Sequence, residues 1–303
     1  MGNLIGAKVE SKELIENNKL IFESKDAAKK HEWLYQCTTI DSLKNILKSR
    51  EIWLSNLKSV NDFEEVKRIT IPEFERSFFV ACFTYDNDIP EEHWKEYGTE
   101  ENGVLFGFKE EWILKKAELM WRPGDKVQDE DFKIYSNFDA ALKATWNASM
   151  ENPKRIYHPY FMCDFGFYQI IYDDNLKREM SGECALNLGD SILEGGRFIT
   201  PGAVGIIKNT HGLCQRPNAE VYNKDWTTEK EVRLKVGIRS NHELLPEELF
   251  FPKMAVKLKE EAFDELKIKF SPLMTEEKRN ENIKDLKKFL HRRDISWIRQ
   301  YTV

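Results

Sequence analysis

The run SFFVACFT, residues 77–84, is almost wholly apolar and rich in aromatic side chains. A run of that length without helical spacing predicts a strand buried on both faces. Around it the hydrophobic period keeps changing. Residues 10–30 are polar, with Leu14, Ile15, Leu20 and Ile21 forming a weak helical stripe. HEWLYQCTT (31–39) reads as a strand. DSLKNILKSR (41–50) places Leu43, Ile46 and Leu47 on one side of a helix, and EIWLSNL (51–57) is a second strand. In SVNDFEEVKR, Asp62 and Glu65 have the spacing of a capping box at a helix start. IPEEHWKEYG is a short helix between Pro90 and Gly98. GVLFGF (103–108) predicts another buried strand, and EEWILKKAEL (110–119) a helix after it.

Downstream, FGFYQIIY, TTEKEVRLKVGI, KMAVKLK and ELKIKF read as strands. Residues 175–194 and 201–211 read as largely helical, and EEKRNENIKDLKKFLHRR as a closing amphipathic helix. Residues 120–160 break the rhythm with turn signals around a short helix at 138–147. They read as an insertion or lid, since long excursions of this kind are often functional. Strands that do not alternate regularly with helices predict an α+β fold with a mixed, mainly antiparallel central sheet. The whole chain, 1–303, reads as one domain. Its core spans about 33–273, with an N-terminal helix at 10–30 and a basic C-terminal helix at 275–293.

Composition narrows the class. At 303 residues the chain can bury a core without disulfides. Charged residues are 32% and hydrophobic residues 41%, which fits a soluble globular protein. The net charge of −6 excludes a global basic field for nucleic acid. Residues 278–299 are locally basic, from Lys278 and Arg279 to Arg299, which reads first as a solvated helix face and second as a phosphate surface. The five cysteines are far apart and form no C-x-x-C pair, against a disulfide framework or zinc site. No signal peptide and no apolar run long enough to span a membrane is present. A cytoplasmic location is expected, with no membrane partner.

The common catalytic signatures are missing. There is no phosphate-binding G-x-x-x-x-G-K-[ST] loop, no G-x-G-x-x-G, no G-x-S-x-G and no H-E-x-x-H. Six histidines are scattered, and no metal site is expected.

What remains is an ordered set of short motifs. They are LYQCTTIDSLKNILKSREIWLSN, then NDFEE, then FFVACFT, HWKEYG and GVLFGF, then DWTTEKEVRL. Together they resemble a bacterial family labelled domain of unknown function 2971. The matching positions are Tyr35, Asn61-Asp62, Cys82-Phe83-Thr84, Trp94 with Tyr97, and Trp226 with Glu229, Glu231 and Arg233. Phe63 and Thr84 stand where that family has proline and serine. The set also resembles, more weakly, the ADP-ribosyltransferase-like fold with its split sheet. That resemblance implies NAD as cofactor, with Tyr35, Gln36, Thr38, Thr84, Trp94, Tyr97 and Arg233 as candidate binding residues. Gln36 or Thr38 stands where the fold carries histidine.

The resemblance assigns the chemistry to Glu231 and Glu229. Cleaving the nicotinamide–ribose bond develops positive charge on the sugar, much as in glycoside hydrolysis. Glu231 would stabilise that charge and hold a ribose hydroxyl, and Glu229 would act as general base toward the acceptor. The implied activity is transfer of ADP-ribose to a macromolecular acceptor, or hydrolysis of NAD. A bacterial toxin or phage-defence effector fits that activity, and a toxin of this kind would answer to an antitoxin protein. The plain reading of the same letters is a strand with one wet face, on which Glu229, Glu231, Arg233 and Lys235 alternate with apolar residues. Two other functions compete: a nucleotide-binding or sensor module without turnover, and an RNase-like toxin using Glu231 with His93 or His158.

Overall fold

The computed structural model describes residues 12–60, 72–120, 133–151, 160–174, 180–183, 192–194, 197–200, 204–215, 221–239 and 250–290. Its helices are α1 (Lys12–Ala28), α2 (Ile40–Ser49), α3 (Pro72–Ser77), α4 (Glu91–Tyr97), α5 (Phe138–Glu151), α6 (Ala262–Glu265) and α7 (Glu276–Leu286). The strands of the main sheet are β1 (Leu34–Thr39), β2 (Glu51–Asn56), β3 (Phe78–Thr84), β4 (Gly103–Phe108), β5 (Ile113–Met120), β6 (Ile134–Tyr135) and β7 (Tyr160–Gln169), joined by β15 (Glu231–Arg239), β16 (Lys253–Leu258) and β17 (Lys267–Phe270). Smaller pairings use β8 (Ile171–Tyr172), β9 (Met180–Glu183), β10 (Ile192–Glu194), β11 (Arg197–Thr200), β12 (Ile207–Lys208), β13 (His211–Gln215) and β14 (Val221–Asp225). The result is a mixed α and β fold around a large, mostly antiparallel sheet.

The sheet runs β17-β4-β1-β3-β15-β7-β6. It forks at β3. The edge of β3 away from β15 carries β1 at Thr84, paired with Tyr35, and β2 at Val80 and Phe79, paired with Ser55 and Asn56. Ala81, Cys82 and Phe83 lie between these attachments, where no strand among the described residues is paired to that edge. One tine continues to β4 and β17, the other to β16 and β5.

The apolar residues of β15 explain why it is central. Val232, Leu234, Val236 and Ile238 are fully buried and pack with Phe79, Ala81, Phe83 and Phe167 in the main core. Helix α2 adds Leu43 and Leu47 to that core, as its spacing predicts. The opposite face of β15 is not wet. Glu231 is 2% exposed, Arg233 1% and Lys235 0%. The turn at 204–206, β12 and α1 shield it: Ile206 and Ile207 pack on Tyr168 with Ile21 of α1, and Lys235 pairs with Asp164 at 3.0 Å.

Several sequence expectations need correction. EEWILKKAEL is a 3-10 turn at Glu110–Trp112 followed by β5, not a helix. Pairing with β16, Leu119 opposite Met254 and Ala117 opposite Val256, overrides the helix-forming side chains. The described parts of 175–194 are strands β9 and β10, which pair with β11. In 201–211 the described residues turn and then pair as β12 with β8. Gly205 there has φ +77°, a left-handed conformation that a right-handed helix cannot continue through. Asp62 and Glu65 lie outside the described residues. The helix expected at 275–293 is α7, which ends at Leu286 with Lys287 as its cap; residues beyond 290 lie outside the described ones. Within the 120–160 excursion, β6 pairs in parallel with β7, so the described part extends the main sheet.

Gly107 sits opposite Tyr35 across β1 and β4. A Cβ there would lie 2.6 Å from Tyr35 Cε1. Gly107→Ala is expected to lower stability by roughly 1–3 kcal/mol, as overpacking does. Urea melts measure this, and an unchanged midpoint would show that the Tyr35 ring is not held against β4.

Candidate functional site

The fork in the sheet is the site. Where β1 and β2 part, a cleft of about 340 Å3 opens over the unpaired edge of β3. That volume suits a small organic ligand. One wall carries Trp53 and Ser55 of β2. The other carries Tyr35 of β1 with His93 and Tyr97 of α4, and Lys208, Glu229 and Glu231 close one end. Tyr35, Thr84 and Glu231 are direct cross-strand partners over β1, β3 and β15, so they stand in one row on one sheet face.

Glu229 is not on the strand. Trp226–Glu229 forms a 3-10 turn capped by Asp225, whose side chain accepts from the Thr227 N–H at 3.0 Å. Lys230 then adopts φ +46°, and β15 begins at Glu231. The two carboxylates are brought together by a third residue. Lys208 Nζ donates to Glu229 Oε2 at 2.9 Å and to Glu231 Oε2 at 3.2 Å. Lys208 follows the Gly205 turn, and its ammonium lies 3.7 Å from the centroid of the Trp226 ring.

The acids and bases balance. Arg233 Nε donates to Glu231 Oε1 at 2.6 Å, Arg233 Nη2 reaches Oε2 at 3.4 Å, and Nη1 donates to the Gly205 carbonyl at 3.0 Å. Lys224 donates to Glu229 Oε1 at 2.8 Å and also pairs with Glu96. The Tyr97 hydroxyl donates to Glu229 Oε1 at 2.6 Å. Glu96, Glu229 and Glu231 thus face Lys208, Lys224 and Arg233, with all six side chains nearly sealed from solvent. Glu229 accepts three hydrogen bonds, from Tyr97, Lys208 and Lys224. Glu231 accepts three from Lys208 and Arg233, and the Cys82 thiol on the cleft floor is its fourth partner. An ionised carboxylate has about four acceptor positions, so Glu229 keeps room for one more donor, and Glu231 takes another only in place of the thiol.

Burial alone would push the Glu229 carboxyl up, but the adjacent Lys208 and Lys224 outweigh it and hold the group well below the usual carboxylate range. Glu229 is therefore a poor proton acceptor and a stable negative charge. The thiols are not nucleophiles either. Cys82 opens to solvent on the cleft floor. Protein surrounds it on its other sides, and this burial with the nearby Glu231 raises its thiol well above the usual range. Burial, with Glu96, pushes Cys37 up to about 12. Both stay protonated at neutral pH. Among the described residues no group of His, Cys, Asp or Glu converges on a metal position.

The candidate residues read from the sequence divide clearly. Tyr35, Gln36, Thr84, Tyr97, Glu229 and Glu231 line the cleft. Thr84 also accepts the Asp86 N–H at 3.1 Å. Trp94 does not reach the cleft; it is buried with Tyr35, Ile89 and Leu105. Thr38 pairs with Val104 along β1 and lies outside the cleft lining. Arg233 lies behind Glu231, pairing with it rather than facing the cleft. Lys208, Lys224 and Tyr172 lie outside every motif, and Trp53 lies within the first motif without a role assigned to it. Tyr172 supports the site from β8, its hydroxyl accepting the Glu231 N–H at 3.2 Å. The chain matches no protein-family model, no curated protein and no solved structure.

Two outcomes follow. The Glu229 carboxyl is lowered in the folded chain, so its contribution to stability is present above the ordinary value of 4.5 and is lost as pH falls below it. Acid titration of the unfolding midpoint should steepen there, and Glu229→Gln should flatten that limb. Lys208→Met leaves two buried carboxylates facing one another. A loss of about 3–5 kcal/mol in urea melts is expected, the usual cost of an uncompensated buried charge. A loss below about 1 kcal/mol would mean that Lys208 is not the bridge.

Proposed function

We propose that this protein is an ADP-ribosyltransferase-like enzyme that binds NAD in the forked cleft and cleaves its nicotinamide–ribose bond. The observation that carries this reading is the row Tyr35–Thr84–Glu231, three residues from three strands converging on one cleft. The split edge of β3 supports it as well, since the resembled fold is built on a split sheet. Glu231 takes a ribose hydroxyl in place of the Cys82 thiol and stabilises the positive charge that grows on the sugar. The bond's electron pair leaves with nicotinamide, and a nucleophile on a macromolecular acceptor, or water, attacks the sugar carbon. Aromatic rings at Tyr35 and Tyr97 offer faces for the pyridine ring, whereas the Phe83 ring packs on Phe108 and Phe167 in the core.

Glu229 takes a different part from the general base that the sequence suggests. Its lowered carboxyl suits a fixed charge that orients Tyr97 and Lys224. Attack on a sugar that is already largely cationic needs little help from a base, because the nucleophile can release its proton to solvent afterwards.

A second reading has its own support. The neutral ion network already engages both carboxylates, which suits a nucleotide-binding module without turnover. Incubation of the full chain with NAD separates the two. Free nicotinamide is expected from the wild-type protein, with a loss of roughly 10²–10³-fold in Glu231→Gln. A thermal melt of each variant confirms that it is folded. Thermal stabilisation by NAD without nicotinamide release would establish the binding module instead. Equal release by both proteins would refute the role of Glu231.

A further inference from the structure

One group in the cleft is not used by the carboxylate network. His93 of α4 lines the cleft and is only 5% exposed. Its Nε2 is sealed from solvent and has no hydrogen-bond partner among the described residues. Buried polar atoms in native folds are nearly always paired, so an orphan beside a cleft points to a partner that arrives from outside the chain. The surroundings fix the residue. The Cys37 thiol donates to its backbone carbonyl at 3.6 Å. The Tyr97 ring meets the imidazole edge-on, centroids 5.9 Å apart. Tyr97 in turn donates to Glu229. Imidazole, phenol and carboxylate follow one another along one wall.

We propose that His93 is a recognition residue for the cleft's ligand, hydrogen-bonding one hydroxyl of a vicinal diol whose other hydroxyl donates to the spare acceptor position of Glu229. This rests on reading the cleft as a nucleotide site, but not on turnover. Burial pushes the His93 ring down to about 4, with Glu229 opposing and Lys224 adding to the fall, so at neutral pH the imidazole is uncharged. An uncharged ring has one N–H and one bare nitrogen, and a hydroxyl can serve either. A hydroxyl can also donate to an ionised carboxylate, as the neighbouring position requires. A phosphate is negatively charged at neutral pH and would face two carboxylates. A diol of the ribose type is the group that satisfies both walls together.

The test uses the full chain with ¹⁵N-labelled histidine, titrated with adenosine and, in parallel, with 2′,3′-dideoxyadenosine. Adenosine is expected to shift the His93 ring nitrogens, and the dideoxy compound, which loses the hydrogen bonds to His93 and to the carboxylate together, to bind about 100-fold more weakly. His93→Phe is expected to weaken adenosine about tenfold, the scale of one lost hydrogen bond, and to leave dideoxyadenosine unchanged. His93→Asn, which keeps a hydrogen-bonding group, should fall between. If His93→Phe does not fold, the wild-type ring shifts and the dideoxy comparison decide the matter. Ring signals that stay still while adenosine binds overturn the role of His93 and leave the cleft reading standing. If neither adenosine nor ADP-ribose binds the wild-type protein, the cleft reading and this one fall together.

Discussion

Three buried carboxylates matched by three buried cations hold one end of the cleft in place. Glu96, Glu229 and Glu231 would each be costly to bury alone, by several kcal/mol on the usual scale for an isolated ion in a protein interior. They are tolerated because Lys208, Lys224 and Arg233 reach them with short hydrogen bonds. The six side chains come from α4, the 3-10 turn, β12, β14 and β15. None of these elements can shift by much without leaving a charge unpaired. The network therefore fixes the position of each relative to the others, whether or not it adds net stability. A well-packed apolar cluster would hold the same elements at no desolvation cost. Its replacement by charges at the end of a cleft is a physical reason to look for function there.

The fork in the sheet explains how charges come to be there at all. A central strand paired along its whole length on both edges leaves no opening between its neighbours. Here β3 is paired along one edge by β15 but only at its ends along the other. The gap opens a cleft whose floor is the β3 backbone with Cys82. On the far face of the same strands lies the main apolar core, so the floor is rigid. Tyr35, Thr84 and Glu231 are aligned by strand register rather than by loop conformation, which holds their spacing fixed as long as the sheet is intact. Gly107 permits this alignment at one end by leaving room for the Tyr35 ring.

Much of this was legible in the sequence. SFFVACFT is the strand its apolar character predicts, and LYQCTT, EIWLSN, GVLFGF, KMAVKL and KIKF also lie where their patterns place them. Glu229, Glu231, Tyr35, Thr84 and Tyr97, picked out through the resemblance, all line one cleft. The cationic half of the site was not legible. Lys208 lies in a stretch with helical letters, and only the left-handed turn at Gly205 and the pairing of β12 with β8 make it a strand residue aimed at the acids. Lys224 is one lysine among many polar residues of a hairpin. No local pattern marks a lysine that will be buried, because burial depends on what the rest of the chain lays over it. The same limit applies to β15. Its alternation is that of a half-wet strand, yet a turn, a short strand and α1 cover its polar face.

The spacing of Glu229 and Glu231 carries a further lesson about mechanism. Two acids at i and i+2 on a regular strand would share a face because the pleat repeats every two residues. The left-handed backbone at Lys230 removes that guarantee. Their proximity depends instead on Lys208, which touches both. A pair spaced by the pleat would crowd two like charges, and one of them would take up a proton near neutral pH, as a general acid–base dyad requires. A pair bridged by an ammonium does the reverse: burial alone would raise Glu229, and the neighbouring lysines hold it ionised. The geometry thus favours charge stabilisation and hydroxyl binding at this end of the cleft over proton transfer, and that preference is set by a lysine lying outside every recognised motif.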